Sequence, residues 1–339
     1  MDDRIVDDNY KEKDDINEQE LRPRTLDEYI GQENVKDMIK IYIQAAKLRN
    51  EVIDHSLIYG PPGLGKTTLA QVIANEMNAG IKITSGPIIE RQGDLAAILS
   101  SLNEGDILFI DEIHRIPSYV EEILYSAMED YELDIMLGQN NQARSIRIKL
   151  PPFTLIGATT RYGDLSAPLR ERFGVVERLE YYTINELEKI IQRTSKIYNY
   201  PISDEACLEL ARRSRGTPRI ANRLFRRIRD FAQVNNLERI NIDITKYALD
   251  KLKIDTYGLD KTDYSYLHGI IDKFKGGPVG LEALSAAIGE DSTTVEDVYE
   301  PYLLKEGFIQ RTPRGRIATD KAYKHLKIRT IGSLFDEDK

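Results

Sequence analysis

The sequence predicts an α/β domain, a parallel sheet with flanking helices, followed by an all-α lid and a winged-helix domain. Three stretches carry that prediction. The first is Gly60-Pro61-Pro62-Gly63-Leu64-Gly65-Lys66-Thr67-Thr68, two glycines around four free positions closed by Lys-Thr. The second is Asp106-Ile107-Leu108-Phe109-Ile110-Asp111-Glu112, a continuous apolar run ending in two carboxylates. The third runs from Phe308 to Ala318, strand–turn–strand around Pro313-Arg314-Gly315, after three short helical patterns.

The glycines of the first stretch let backbone N–H groups turn inward around phosphate oxygens. Lys66 can then reach the β- and γ-phosphates of a nucleotide, and the Thr67 hydroxyl can hold Mg²⁺. A helix from Thr67 to Asn78 would point its positive dipole end at the same anion. The bland alternative is an accidental glycine turn. Leu57-Ile58-Tyr59 argues against it, because that run enters the loop as a strand would. A nucleotide site follows.

Bulk properties bound the rest. A chain of 339 residues suffices for two or three cores. Its 41% hydrophobic and 30% charged residues suit a soluble globular protein, and no apolar run nears the ~18 residues of a membrane span. The acidic start Met1-Asp2-Asp3-Arg4 is unlike a signal peptide. Cys207 stands alone, which excludes an internal disulfide, fits a reducing compartment and reads as a small buried residue. His55, His114, His268 and His325 are too scattered for a zinc pattern. These features predict a cytoplasmic protein. A net charge of −9 taken alone argues against nucleic acid, so the distribution of charge matters more.

Residues 1–20 carry nine acids and three bases with almost no apolar residues, and are expected to be a disordered tail. A first domain is expected over residues 21–182, beginning near Leu21-Arg22-Pro23 and with a helix from about Glu33 to Arg49. Beyond the phosphate loop come a short strand, Ile81 to Thr84, and a helix, Gly93 to Ser101. Buried parallel strands read as unbroken apolar runs, and α/β sites gather at strand C-terminal ends. With a phosphate loop upstream, Asp111 can bind Mg²⁺ through its water shell and Glu112 can polarise an attacking water. Val120 to Asp130 reads as a helix, and Ile135 to Leu150 as a β-hairpin about Gly138 to Gln142. Its Ile135, Leu137, Ile146 and Ile148 form either a docking face or packing for their own domain. Phe153 to Arg161 is another buried strand, whose terminal hydroxyls can sit beside a γ-phosphate. Arg170 and Arg172 then share one turn, as a solvated face or, in an oligomer, as a source of charge for a neighbour's site.

Residues 183–255 read as helical without obvious strands. Within them Arg212, Arg213, Arg215, Arg219, Arg223, Arg226, Arg227 and Arg229 meet no acid until Asp230, where a purely structural helix would mix signs. Gly216-Thr217-Pro218-Arg219 breaks the run, so Arg219 starts a new helix and can reach a nucleotide. Lys253 to Lys261 reads as a linker into a head over residues 256–329. Its helices are expected at Tyr266 to Phe274, Gly280 to Ile288 and Val295 to Glu306, with the wing behind them. From Lys305 to Arg329 eight Lys/Arg face only Glu306 and Asp320, which reads as a phosphate-backbone clamp in spite of the net charge, the alternative being a solvated hairpin. Residues 330–339 read as a frayed acidic tail.

Taken together, the chain resembles the RuvB family, bacterial AAA+ motors that drive branch migration of Holliday junctions. The resemblance runs from about Leu21 to Ile328. It rests on the phosphate loop, on Leu108 to Arg115, on Pro151 to Arg161, on Arg215-Gly216-Thr217-Pro218-Arg219-Ile220-Ala221-Asn222-Arg223-Leu224, and on Gln310-Arg311-Thr312-Pro313-Arg314-Gly315-Arg316. The first two strings alone specify only an AAA+ ATPase; the last is far more specific. The resemblance implies an ATPase with Mg²⁺, with Lys66, Thr67, Asp111 and Glu112 as the Walker residues and Gly63, Gly65 and Thr68 completing the loop. It implies Thr160 as first sensor, where many AAA+ relatives carry Asn, Arg172 as the finger reaching a neighbouring subunit, and Arg219 as second sensor. Leu21, Arg22, Glu129, Asp130, Tyr131 and Tyr182 would help to hold the nucleotide, and Arg311 and Arg316 would contact DNA. The implied partners are duplex DNA arms of Holliday junctions, a RuvA-type junction-binding protein docked on the 135–150 hairpin, a junction resolvase, and further copies of the chain in a hexameric ring.

Three rival readings compete with this one. A clamp-loader-like ATPase usually carries a helical collar, so the basic wing counts against it. A winged-helix regulator using nucleotide only as a switch would bind base-specifically and not need Glu112. A protein unfoldase would lack the basic head.

Overall fold

In the computed structural model the described residues are 20–137 and 144–328, the side chains of 135–137 and 144–146 excepted. The expected tails and the expected hairpin tip, 138–142, lie outside the described residues apart from Glu20, which is helical. The chain forms two compact units, Met1–Tyr182 and Thr183–Lys339.

The first unit starts with α1 (Glu33–Arg49) and β1 (Ser56–Tyr59), which feeds the phosphate loop and α2 (Lys66–Met77). Then follow β2 (Ile81–Ser85), α3 (Gln92–Ser100), β3 (Ile107–Asp111), α4 (Ser118–Glu129), a hairpin of β4 (Glu132–Leu137) and β5 (Arg144–Lys149), β6 (Thr154–Thr159), α5 (Ala167–Glu171) and β7 (Val175–Arg178). Five of these strands make a parallel sheet in the order β2-β3-β6-β1-β7. All six residues of β6 are buried, as are Ile107 to Ile110 of β3. Strands covered on both faces by crossover helices have no solvent side, which is why these segments are apolar without alternation. The hairpin begins at Glu132, three residues before the expected Ile135, with buried Leu133 paired across the ladder with Ile148.

His55 ties three of these elements together. The Leu155 N–H donates to His55 Nδ1 at 2.8 Å, so Nε2 carries the proton and donates to the Met128 carbonyl at 3.0 Å. β1, β6 and the end of α4 thus meet on one neutral imidazole.

The second unit opens with four helices, α6 (Ile184–Ile197), α7 (Asp204–Arg212), α8 (Pro218–Val234) and α9 (Ile242–Lys251), with a single parallel bridge between Ile202 and Ile240. Cys207 is fully buried, and burial pushes its thiol up to about 12, an inert packed group. α8 buries Ala221, Leu224, Phe225, Ile228 and Ala232 at helical spacing. The arginine run is not one exposed face. Arg213 and Arg215 are buried: Arg213 pairs with Glu209 at 2.5 Å, while Arg215 donates to Gly258 O at 2.6 Å and pairs with Asp263 at 2.5 Å. Glu209 lies one helical turn upstream of Arg213, just outside the run, whereas Asp263 lies 48 positions from Arg215, where local sign counting could not find it.

The expected linker is likewise packed in place. Arg213 donates to the Ile254 carbonyl at 2.8 Å, Tyr302 to the Tyr257 carbonyl at 2.7 Å, and Leu259 is fully buried. The head consists of α10 (Lys261–His268) with a π turn after it, α11 (Leu281–Ile288), α12 (Ser292–Thr294), α13 (Glu300–Lys305), β8 (Ile309–Thr312), β9 (Gly315–Ala318) and α14 (Asp320–Leu326). α10 begins five residues before the expected Tyr266, because Asp260 and Asp263 form a reciprocal capping box. The third expected helix is broken by a π turn over Val295–Tyr299. Pro301 supplies the reason: it has no N–H for the carbonyl four residues back. β8 and β9 pair antiparallel, with Arg311 opposite Arg316, and Val279 bridges to Arg316.

Burial pulls the His55 imidazole below its usual range, against the Met128 carbonyl and Asp54, which push it back. A histidine lowered in the folded state contributes stability above the unfolded value, lost as pH falls below it. Thermal melts should therefore show destabilisation below about pH 6.5, with a slope of at most about 1.4 kcal/mol per pH unit from this group. His55→Gln should lower stability at neutral pH and flatten that slope.

Candidate active site

The loop after β1 begins α2 at Lys66, with Gly65 as N-cap at φ 101° and no side-chain cap. First-turn N–H groups therefore face the loop, the arrangement that receives anionic oxygens. A side chain at Gly65 is excluded twice, by its φ and by the Tyr29 hydroxyl, which would lie 2.9 Å from a Cβ. Lys66 turns inward, donating from Nζ to the carbonyls of Gly60 at 2.8 Å and Pro61 at 3.1 Å. Burial lowers its pKa, while Glu112 and Asp111 pull it back up. The ammonium thus lies within the field of both carboxylates. Gly63, Thr67 and Thr68 are half-buried in the same turn.

A tyrosine pair floors the loop. Tyr182 donates to the Leu64 carbonyl at 3.2 Å and sits 3.3 Å from the Tyr29 hydroxyl. Gln32 clamps the Glu180 backbone on both sides, at 2.7 and 3.1 Å, and so brings Tyr182 back to Tyr29. Leu21 is buried, and Arg22 donates to Gln71 on α2 at 3.1 Å, so the segment before α1 runs beside the phosphate loop.

The acids lie across β6 from the loop. Asp111 ends β3, and its Oδ1 accepts the Glu112 N–H at 3.0 Å. Glu112 adopts a left-handed backbone, φ 48°, rare for a non-glycine residue and concentrated at functional sites. Thr160 donates to Glu112 Oε2 at 3.2 Å, and His114 Nδ1 lies 3.2 Å from the same oxygen. That ring nitrogen is also 2.8 Å from the hydroxyl of Thr159, which is itself fully buried. Both contacts converge on one oxygen and anchor that end of the carboxylate. A carboxylate so held can orient a water and receive its proton. Gly86 makes this possible, since a Cβ there would meet the Glu112 carbonyl at 2.3 Å.

Arg172 follows α5 and folds onto its own chain. It donates to the Pro168 carbonyl at 2.7 Å, pairs with Glu129 at 3.1 Å and stacks 4.3 Å from the Tyr125 ring centre. Ser166 caps α5 and donates to the buried Glu121 at 2.7 Å, anchoring that turn to α4. Asp130 caps α4, and the Tyr131 carbonyl accepts from Leu150 N at 2.7 Å. Arg172 and Glu129, both expected to act on a nucleotide, therefore share one face. In the second unit Arg219 is exposed at the first turn of α8. In the head, Arg311 and Arg316 converge on Glu300, at 2.5 and 2.8 Å. Sequence reasoning missed Tyr29, His114 and Glu300. Only His114 had a signal, its place two residues beyond the acid pair.

Comparison with known proteins covers nearly the same span. Residues 21–179 match the Holliday junction DNA helicase RuvB P-loop domain, 182–255 the RuvB AAA lid domain and 256–327 the RuvB C-terminal winged helix domain. The chain is 64% identical over 316 residues to the Holliday junction branch migration complex subunit RuvB of Acholeplasma laidlawii, covering 93% of this chain and 94% of that one. It matches the solved Thermotoga maritima RuvB Holliday junction branch migration motor with TM-score 0.85 at 54% identity, covering 91% of this chain and 99% of that one. A point mutant of that protein matches with TM-score 0.86 at 53% identity over the same shares.

Removing the Thr160 hydroxyl should release Glu112 without disturbing the loop. Thr160→Val is expected to keep nucleotide affinity within about threefold and to slow hydrolysis by about 10- to 100-fold, the loss typical of one positioning hydrogen bond. Equilibrium binding of a fluorescent nucleotide together with steady-state phosphate release measures both.

Proposed function

The chain belongs to the RuvB family, and we propose that it is the ATP-driven motor subunit that moves Holliday junctions by pulling duplex DNA through a ring of its own copies. It is a P-loop AAA+ ATPase with a winged-helix DNA-binding domain. The observation that carries the proposal is Glu112, held by Thr160 and His114 across β6 from Lys66. Among the described residues no helix is long and apolar enough to cross a membrane. The working division is an ATPase over 21–182, a lid over 183–255 and a head over 256–329, in a cytoplasmic protein.

The residues fit ATP and Mg²⁺: an anion-receiving helix start, a buried ammonium, a hydroxyl at Thr67 and a carboxylate at Asp111. Bound there, the nucleotide supplies a transferable phosphoryl group and the metal neutralises its charge. Gly63, Gly65 and Thr68 shape the cradle, Lys66 meets the phosphates, and Thr67 with Asp111 holds the metal. Glu112 orients the attacking water and accepts its proton, with Thr160 fixing its carboxylate. Leu21, Arg22 and Tyr182 close around the base and sugar. Arg219 reports nucleotide state to the lid. Arg172, with Glu129, Asp130 and Tyr131, reaches the neighbouring subunit's nucleotide. Such an exchange in trans needs a head-to-tail contact, which closes into a ring, here hexameric.

In the head, Arg311 and Arg316 grip the DNA backbone without reading bases, as a translocating motor must. Affinity then falls steeply with salt. The β4–β5 hairpin, with Ile148 exposed on β5, docks a RuvA-type junction-binding protein, and a junction resolvase acts on the same assembly. The docking role of Ile135, Leu137 and Ile146 concerns side chains outside the described residues.

The test is a synthetic four-way junction incubated with the chain, a RuvA-type partner, ATP and Mg²⁺. Wild type should release duplex arms and Glu112→Gln should not. ATP hydrolysis without movement of the junction overturns the proposal in favour of a loader or switch.

The trans role of Arg172 has its own test. Arg172→Ala should lose about 10³-fold or more in turnover. Mixing it with inactive Lys66→Met should restore part of the activity, because mixed rings pair an intact loop with an intact arginine. No recovery at any ratio would place Arg172 in cis.

A further inference from the structure

Two of the wing arginines, Arg311 and Arg316, are already paired. Glu300 has a fully buried side chain, yet it receives Arg311 Nε at 2.9 Å, Arg311 Nη2 at 2.5 Å, Arg316 Nε at 2.8 Å and the Tyr266 hydroxyl at 2.9 Å. Burial pushes the Glu300 carboxyl up, but the hydrogen bonds from Arg316, Arg311 and Tyr266 together bring it below its usual value. It stays charged. A second carboxylate, Glu296, reaches the outer edge of the same two guanidinium groups, 3.3 Å from Arg311 Nη2 and 3.4 Å from Arg316 Nη2. The two acids differ in every respect that decides which one can leave. Glu296 is 29% exposed and makes the longer contacts; Glu300 is 0% exposed and makes the shorter ones.

Two guanidinium groups and two carboxylates sum to zero charge, so this cluster of four adds no net charge to attract a polyanion as it stands. Arg311 remains 45% exposed, with its guanidinium set between a buried acid and solvent. Resting on the reading that Arg311 and Arg316 grip DNA, we infer that Glu296 occupies the place of a DNA phosphate and is displaced by one on binding, while Glu300 stays and positions both arginines. Both Nη2 groups meet one Glu296 oxygen, Oε1, and an anionic phosphate oxygen can accept from the same two donors, so exchange preserves the arginine geometry. Glu300 is thus a positioning residue and Glu296 a built-in competitor. The exchange makes the grip weaker than two free arginines would give.

The test is binding of the full-length chain to a short fluorescent duplex in the presence of a non-hydrolysable ATP analogue, over a salt series. Glu296→Gln should tighten binding about 3- to 10-fold near 50 mM salt, the gap closing towards 1 M as screening removes it. Glu290→Gln removes the same charge from an exposed site in the same head and should change affinity by less than about twofold. Arg311→Gln should weaken binding, and adding Glu296→Gln to it should recover much less than Glu296→Gln gains in wild type, because the acid acts through the arginine. A gain equal to that of Glu290→Gln, or one that persists fully without Arg311, overturns displacement. If Arg311→Gln itself leaves affinity unchanged, the DNA-grip reading fails and the inference falls with it. Glu300→Gln is expected to weaken binding and lower the melting temperature, and Glu300→Asp to restore part of both.

Discussion

The position of β6 between β1 and β3 is the constraint on which the first unit depends. Were β6 absent from between them, β1 and β3 would bring Lys66 and Asp111 together with nothing in the gap. Inserting β6 moves them one strand apart and places Thr159 and Thr160 in the gap. The gap is where chemistry has room. In the proposed reading, that width lets a phosphate at Lys66 face a water at Glu112, with the Thr160 hydroxyl between them. The complete burial of β6 follows from the same placement, since the middle strand of a covered sheet touches no solvent.

That constraint explains what was legible. The phosphate loop, the apolar runs of β3 and β6 and the polar residues ending each could be read directly, because a buried parallel strand leaves an unbroken apolar signature. The order of the strands left no such mark, nor did the partners that complete the site. His114 orients Glu112 only because Thr159, 45 positions away, meets its ring. Tyr29 matters because Tyr182, 153 positions away, returns to it. Contacts closed over such distances carry no local pattern. In the head, boundaries were missed where a local device overrode periodicity, the capping box at Asp260 and the proline at 301.

Charge was the least legible property. The arginine-rich segment before α8 reads as a basic face, yet two of its members point inward, to Glu209 and Asp263. The wing reads as free cations, yet its two central arginines share a buried glutamate. Counting signs along a chain measures neighbours in sequence, whereas ion pairs form between neighbours in space. Arg215 makes the distinction plain. It binds the backbone of Gly258 and the side chain of Asp263, so one guanidinium ties the helical part of the second unit to the segment that leads into the head. Leaving Asp263 buried without it would cost several kcal/mol, which makes the residue structural whatever else its segment does.

An arginine committed to a buried acid is also a prepared arginine. A long side chain free in solvent loses up to about 2 kcal/mol of rotamer freedom when it is fixed on a ligand. Arg311 and Arg316 have already spent that freedom on Glu300. In the proposed reading their phosphate contacts therefore form with little further ordering, and fast capture follows. Fast release needs the opposite influence, a competitor at hand when the phosphate departs, and an exposed carboxylate at the outer edge provides one. A motor that must let go at each step is served better by such a poised, partly neutralised grip than by free cations. On this view the net negative charge of the chain and the local pairing of its wing act in the same direction, holding DNA affinity below the point at which movement would stall.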